Sequence, residues 1–193
     1  MPLILASRSA IRRTMLEDAG VEHIAIKPDV DEGAAKARLG TAEEIAGELA
    51  RQKAIAVSVA RPGEWVIGSD SVVSVGGRIF DKPRDRVNAV EHLRLFSDQS
   101  MILTSAVALA RDGLCDWSHV DSACLQVRPL SEDFIESYLD AEWPDVGYCV
   151  GVFRMEGRGV QLFEQIDGSY FTILGMPLIP LLGALRERGV LPS

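Results

Sequence analysis

The most constraining feature of the chain is its start, where a short apolar run, a polar turn and an amphipathic helix follow one another without a gap. Leu3-Ile4-Leu5-Ala6 suits a buried strand, and Ser7-Arg8-Ser9 suits a turn that ends in a helix N-cap. Ile11, Met15, Leu16 and Ala19 then repeat at helical spacing, and Gly20 suits a helix stop. Charge makes the stretch unusual. Arg12 and Arg13 fall in the first helical turn, at the positive end of the helix dipole. Cations are disfavoured there by roughly a few tenths of a kcal/mol each. An anion docked at that end reverses the sign, because strand, short turn and helix N-terminus make an anion-binding geometry. A solvated arginine pair and an anion site stand level on these residues alone.

The length of 193 residues allows one α/β domain, 1–193, or two small lobes around a cleft. A hydrophobic content of 47% supplies a sizeable core. The net charge of −8 argues against a polymeric nucleic acid or an anionic membrane as partner. A small anionic ligand would need a local cluster of Arg and Lys. The three cysteines, Cys115, Cys124 and Cys149, fit no zinc spacing and are odd in number, so reduced packing thiols in a cytoplasm are expected. Met1-Pro2-Leu3 runs straight into the first strand, so neither a signal nor a transit peptide is expected. No apolar run approaches the length of a membrane span.

Val21–Val30 holds a second strand and leads into the acidic stretch Pro28-Asp29-Val30-Asp31-Glu32-Gly33. A solvated loop is the first reading, and a metal or nucleotide contact the second, since hard cations take carboxylate oxygens. Thr41-Ala42-Glu43-Glu44 is a capping box for a helix with Ile45, Leu49, Ala56 and Ala60 on one face. Lys53 falls at the edge of that face, where a lysine ordinarily snorkels to water; the alternative turns its ammonium into a cleft.

Trp65-Val66-Ile67-Gly68 is a buried strand, interrupted by Ser69-Asp70-Ser71 and resumed by Val72–Val75. A carboxylate in an apolar β run needs a partner. Turn amides would satisfy it, and a catalytic or metal-binding role is as good a reading. Gly76-Gly77 turns the chain into a strand ending at Asp81-Lys82-Pro83. Asp85 caps a helix with Val87, Val90, Leu93 and Phe96 inward and His92 at its surface or edge. Strands over Met101–Ala110 and Leu114–Val127 flank Asp112-Gly113, and Ser131 caps a helix ending near Ala141. Gly147–Phe153 and Val160–Ile166 read as strands around the glycine-flanked loop Arg154–Gly159, whose default reading is a solvated turn. A last helix covers Leu178–Arg188. The mixture predicts an α/β fold with a mixed sheet rather than a doubly wound parallel one.

Together these pieces resemble the Maf family of nucleoside triphosphate pyrophosphatases over essentially the whole chain. The resemblance rests on Leu5-Ala6-Ser7-x-Ser9 with Arg12-Arg13, Asp31-Glu32, Gln52-Lys53-Ala54 and Gly68-Ser69-Asp70-Ser71-Val72. It continues through Asp81-Lys82-Pro83 and Ile166-Asp167-Gly168-Ser169-Tyr170 to Gly175-Met176-Pro177-Leu178. It implies a two-lobed fold, related to that of inosine triphosphatases, with an elongated mixed sheet, flanking helices and a central cleft. It also implies hydrolysis of a nucleoside triphosphate to monophosphate and pyrophosphate with Mg²⁺ or Mn²⁺. By the same resemblance, Ser7, Arg12, Arg13, Lys53 and Lys82 bind phosphate, Glu32 is an acidic site residue, and Asp70 is the general base. The alternative to the general base is Asp70 as a metal ligand, together with Glu32, and the two roles can also be combined. A homodimer is a family expectation, as is an association with septum formation. A nucleotide-binding regulator without turnover is therefore the competing reading, and an inosine-type triphosphate pyrophosphatase a third.

Departures from the family pattern bear on the base. Before the arginine pair, the group acting on pyrimidine triphosphates (dTTP and UTP) tends to have Arg and the 7-methylguanosine triphosphate group Trp; here the residue is Ile11. After the key Asp those groups tend to have Thr or Gln; here it is Ser71. Ala10 replaces a usual Pro. Phe153–Gly157 with Glu156, the nearby Cys149 and Leu162-Phe163-Glu164 resemble the 7-methylguanosine group more closely. Glu156 accepts only, and the guanine Watson–Crick edge offers N1–H and N2–H₂ donors side by side. A guanine-type or modified-purine preference is therefore expected, with Ile11, Ser71 and Glu156 as the selecting positions.

Overall fold

The computed structural model describes residues 3–192. Met1 and Pro2, on which the leader expectation turns, lie outside them. The elements run β1 (Leu3–Ala6), α1 (Ala10–Asp18), β2 (His23–Ala25), α2 (Glu32–Arg38), α3 (Ala42–Ala60), β3 (Trp65–Val75), β4 (Arg78–Phe80) and α4 (Arg86–Phe96). They continue with β5 (Ser100–Arg111), β6 (Leu114–Val127), α5 (Glu132–Glu142), β7 (Phe163–Asp167), α6 (Tyr170–Ile173) and α7 (Leu178–Glu187). Seven strands form a mixed sheet in the order β2-β1-β3-β5-β6-β7, with β4 paired to β3 off this path. β1 is parallel to β2 and β3, whereas β4 on β3 and β7 on β6 are antiparallel. The mixed α/β class expected from the sequence is the class found. No helix among the described residues is long and apolar enough to cross a membrane.

The chain forms two compact units, and β3, β5 and β6 each contribute residues to both. The first comprises the chain up to Ser71, Thr104–Asp121 and the stretch from Ser169 onward. Its centre is β1, buried throughout, between two parallel neighbours. Strand alternation gives β3 two faces here. Ile67 joins Leu3, Leu5, Leu16, Met176, Leu181 and Leu185 in a core made with α1 and α7. Gly68 points the other way, toward α3: a Cβ there would lie 2.1 Å from the Ala50 carbonyl oxygen and 2.6 Å from the Ala54 nitrogen. Only a residue without a side chain lets helix and strand backbones approach so closely. With α1 on one side of the sheet and α3 on the other, the carboxyl end of β1, beside the middle of β3, forms the kind of switch point where open α/β sheets bind ligands.

Several local expectations are corrected in this unit. β3 runs unbroken from Trp65 to Val75, because Ser69 and Asp70 find partners without leaving the strand. The acidic stretch is a loop only as far as Asp31, which caps α2 by accepting from the Ala34 amide; Glu32 is the first residue of that helix. The capping box at Thr41 and Glu44 forms as read. The inner face of α3, however, is Ile45, Ala46, Leu49, Ala50, Lys53, Ala54 and Val57, while Ala56 and Ala60 are exposed. Lys53 therefore sits within the buried face, not at its edge.

The second unit, Val72–Leu103 with Ser122–Gly168, holds β4, α4, α5 and β7. Gly76 and Gly77 both have positive φ, as the β3–β4 hairpin turn demands. Asp85 caps α4 through the Asn88 amide. Val87 is exposed rather than inward, and His92 is buried rather than at the surface: its ring packs edge-on to Phe80, beside Phe96. Arg94 and Glu132 pair between α4 and α5. Gly147–Phe153 is not a strand but a 3₁₀ turn at Asp145–Tyr148 followed by a tight turn with Gly151 at positive φ. Val160 likewise belongs to a 3₁₀ turn, Arg158–Leu162, and β7 begins only at Phe163. β-branched residues alone do not make a strand, since their preference is overridden by tertiary context.

Candidate active site

The register Ala6↔Gly68 sets the end of β1 beside the middle of β3, so that Ser7 follows β1 while Asp70 lies two residues further along β3. Ser7 is buried, and its hydroxyl oxygen accepts from the Ser9 amide. Ser9 in turn caps α1, its hydroxyl accepting from the Arg12 amide. Asp70 is 8% exposed and lies on the Gly68 side of the strand, facing α3. The close approach at Gly68 brings Lys53 within reach: its Nζ lies 2.6 Å from Asp70 Oδ1 and 2.7 Å from Glu32 Oε1. The lysine does not snorkel, because burial next to two carboxylates is electrostatically better than reaching for water. Three residues from three elements thus converge on one ammonium: acid, base and acid.

Ser69 and Ser71 point to the other face of β3, toward α1. There the Arg12 guanidinium donates through Nε to the Gly175 carbonyl at 2.8 Å, through Nη1 to the Ser69 carbonyl at 3.0 Å, and through Nη2 to Ser71 Oγ at 3.0 Å. Gly175 O also accepts from the Ser69 and Ser71 hydroxyls. Ser105 Oγ donates to the Thr172 carbonyl at 2.8 Å and lies 2.9 Å from Ser71 Oγ. A hydroxyl has one proton, so Ser71 donates within this cluster while accepting from Arg12. Gly175 has φ +105°, and a Cβ there would stand 3.2 Å from Ser71 Oγ and 3.5 Å from Arg12 Nη2. Burial pushes the Arg12 guanidinium below its ordinary value, and the charges of Asp70 and Glu32 oppose that shift.

This geometry sorts the expected site residues. Ser7, Arg12, Glu32, Lys53, Asp70 and Ser71 belong to the first unit with Ile11 and Arg13, both on α1. Arg13 is exposed and Ile11 half-buried. Lys82 and Glu156 belong to the second unit. Both act on the half-buried Cys149: burial raises its thiol, Glu156 adds to the rise, and Lys82 and Arg154 oppose it. Glu156 is exposed on its loop. Sequence reading missed Ser105, Thr172 and the Gly175 carbonyl. A signal existed for Ser105, since Thr104-Ser105 is a polar pair in the apolar run of β5, as Asp70 is in β3.

A family described as Maf-like protein matches residues 2–188 of this sequence. The chain belongs to the Maf family. A "7-methyl-GTP pyrophosphatase" of Rhizobium etli is 47% identical over 193 aligned positions, covering 98% of this chain and 97% of that protein. A "Nucleoside triphosphate pyrophosphatase" of Nitrobacter hamburgensis is 45% identical, covering 98% and 95%. Among solved structures, a HAM1 protein from Coxiella burnetii aligns over 66% of this chain and 73% of that one with a TM-score of 0.46 at 16% identity. The Maf match spans the segments that carry Arg12, Glu32, Lys53 and Asp70, so the residues that converge in space lie inside the family's own extent.

Proposed function

We propose that this Maf protein hydrolyses a nucleoside triphosphate to the monophosphate and pyrophosphate, acting on non-standard nucleotides. The observation that carries the reading is the arrangement of buried Asp70 and Lys53 with the exposed Glu32, beside the carboxyl end of β1, Ser7 and the turn into α1. The relatives' names support it. In the reaction, water attacks the α-phosphorus, the bond to the bridging oxygen breaks, and pyrophosphate leaves with its electron pair. Asp70 takes the proton of the attacking water. Lys53, held between two carboxylates, orients Asp70 for that task and offers a positive charge to the phosphates. A triphosphate carries about four negative charges, which Arg meets with bidentate bonds and Lys as a point charge. Three of the five Arg12 N–H groups are given to protein acceptors, so at most two remain for phosphate. Arg13 is the freer phosphate ligand, and Lys82 is assigned to the same task.

A divalent cation fits the donors present. Glu32 and Asp70 supply hard carboxylate oxygens on either side of Lys53 Nζ, and Mg²⁺ or Mn²⁺ would be held by one or both of them with phosphate oxygens and water. Among the described residues no group of three or more His, Cys, Asp and Glu is placed to hold a metal. When bound, such an ion neutralises phosphate charge and makes water more acidic. A guanine-type base, 7-methyl-GTP foremost, is the favoured substrate, with Glu156 accepting from its Watson–Crick edge. A cytoplasmic setting with reduced thiols goes with this reading. Pyrophosphate release from a panel of standard and modified triphosphates, with Mg²⁺, Mn²⁺ or chelator, is the test. Metal-dependent release with monophosphate as co-product is expected; nucleotide binding without release from any member would leave a binding module instead.

A further inference from the structure

We propose that Glu142, the last residue of α5, is a positioning residue for base selection: its buried carboxylate grips the chain on both sides of Glu156 and fixes where that side chain is presented. The inference rests on the assignment of Glu156 to base recognition made above.

Glu142 is 7% exposed. A carboxylate at the C-terminal end of a helix meets the negative pole of the helix dipole, and burial adds a desolvation cost, so its place needs a compensating partner. Two are supplied, one from each flank of the loop. Arg154 donates to Glu142 Oε2 through Nη2 at 2.9 Å and Nε at 3.3 Å. On the far flank the Arg158 amide donates to Oε1 at 3.3 Å. Arg154 is held a second time by Asp145, at 2.9 Å through Nη1.

The glycines between are shaped to this grip. A Cβ at Gly157 would stand 3.0 Å from Glu142 Oε2, and one at Gly159 would stand 2.5 Å from the Arg154 carbonyl oxygen. The chain therefore wraps the carboxylate closely, and Glu156, between the two gripped flanks, is exposed, as is Arg158. A recognition carboxylate on an exposed loop loses selectivity if its position wanders by about an ångström. One buried acid closing both flanks removes that freedom.

Glu142→Gln keeps the shape and an acceptor for the Arg158 amide but removes the charge that holds Arg154; Arg154→Met removes the partner. The readouts are the ratio of kcat/KM for a guanine-type over a pyrimidine triphosphate, and hydrogen exchange at the amides of residues 155–158. In Glu142→Gln, and in Arg154→Met should the first variant fail to fold, the ratio falls about tenfold or more and these amides exchange faster. The double variant is expected to lose little more than either single one. A proportional fall on every substrate with an unchanged ratio, or unchanged exchange, overturns the proposal and leaves Glu142 a fold residue. Glu156→Gln separates the two claims. If it shifts the ratio while the Glu142 and Arg154 variants do not, only the positioning role fails; if Glu156→Gln also leaves the ratio unchanged, the base assignment itself is wrong.

Discussion

Asp70 shows what a single residue reveals in sequence and what it conceals. A carboxylate in an apolar strand demands a partner, and that demand could be read from the sequence; the partner could not. Lys53 lies 17 positions away on a helix, and its favoured reading in isolation was a side chain reaching for water. Two consequences follow at this scale. Asp70→Asn preserves shape but cannot take a proton, so turnover should fall at least about a thousandfold, a loss of proton transfer and water orientation together. Nucleotide affinity, read by titration, should stay within about tenfold; near-normal rates would remove Asp70 from the reaction. Lys53→Met leaves two carboxylates facing each other without their cation. Breaking a buried pair on one side costs about 3 kcal/mol, so the urea midpoint should drop accordingly. The Lys53→Met/Asp70→Asn double variant should recover part of the loss; additive losses would show that the pair is not coupled.

Elements decide which residues meet. The β3 alternation sends Gly68 and Asp70 toward α3 and Ser69 and Ser71 toward α1, so one strand serves a carboxylate–lysine arrangement on one side and an arginine–serine one on the other. The strand itself was legible from its apolar residues, but its continuity through Ser69–Ser71 was not, because that depends on partners 34 to 106 positions away. Helices with caps at Ser9, Thr41, Asp85 and Ser131 were legible because a cap and its amide are local. α2 was missed because its cap sits in an acidic stretch that reads equally as a solvated loop. Gly68→Ala tests the close approach of α3 to β3. The clash is with backbone, which cannot rotate away, so stability should fall by roughly 3 kcal/mol or more, together with activity, as α3 carries Lys53 outward. A melting temperature equal to the parent's would show that the backbone gives way without cost.

At the scale of the whole molecule, a chain of net charge −8 is proposed to handle a polyanion, which requires its cations to be concentrated locally rather than spread. Stability of the whole also depends on pH through a residue outside the proposed chemistry. Burial lowers the His92 imidazole below its ordinary value of 6.5, the charges of Arg78 and Arg84 add to the effect, and Glu91 and Asp81 oppose it. Because the folded value is the lower one, the unfolded chain binds the extra proton as pH falls. His92 thus contributes stability that is present above about 6.5 and lost as pH falls toward and through its folded value. The melting temperature should decline between pH 7.5 and 5.5, and His92→Leu should shrink that decline; an equal decline in both proteins would place the acid sensitivity elsewhere. Composition, caps, strand runs and the order of its motifs were enough to determine that this is a mixed α/β member of the Maf family, since periodicity and capping are local and motif order is written along the chain. Tertiary structure alone decided that Lys53 turns inward to bridge Glu32 and Asp70, that Ser71 is bound into the Arg12 cluster, and that Glu142 closes the Glu156 loop. Each depends on groups distant in sequence whose burial makes an unpaired charge or hydroxyl too costly to leave alone.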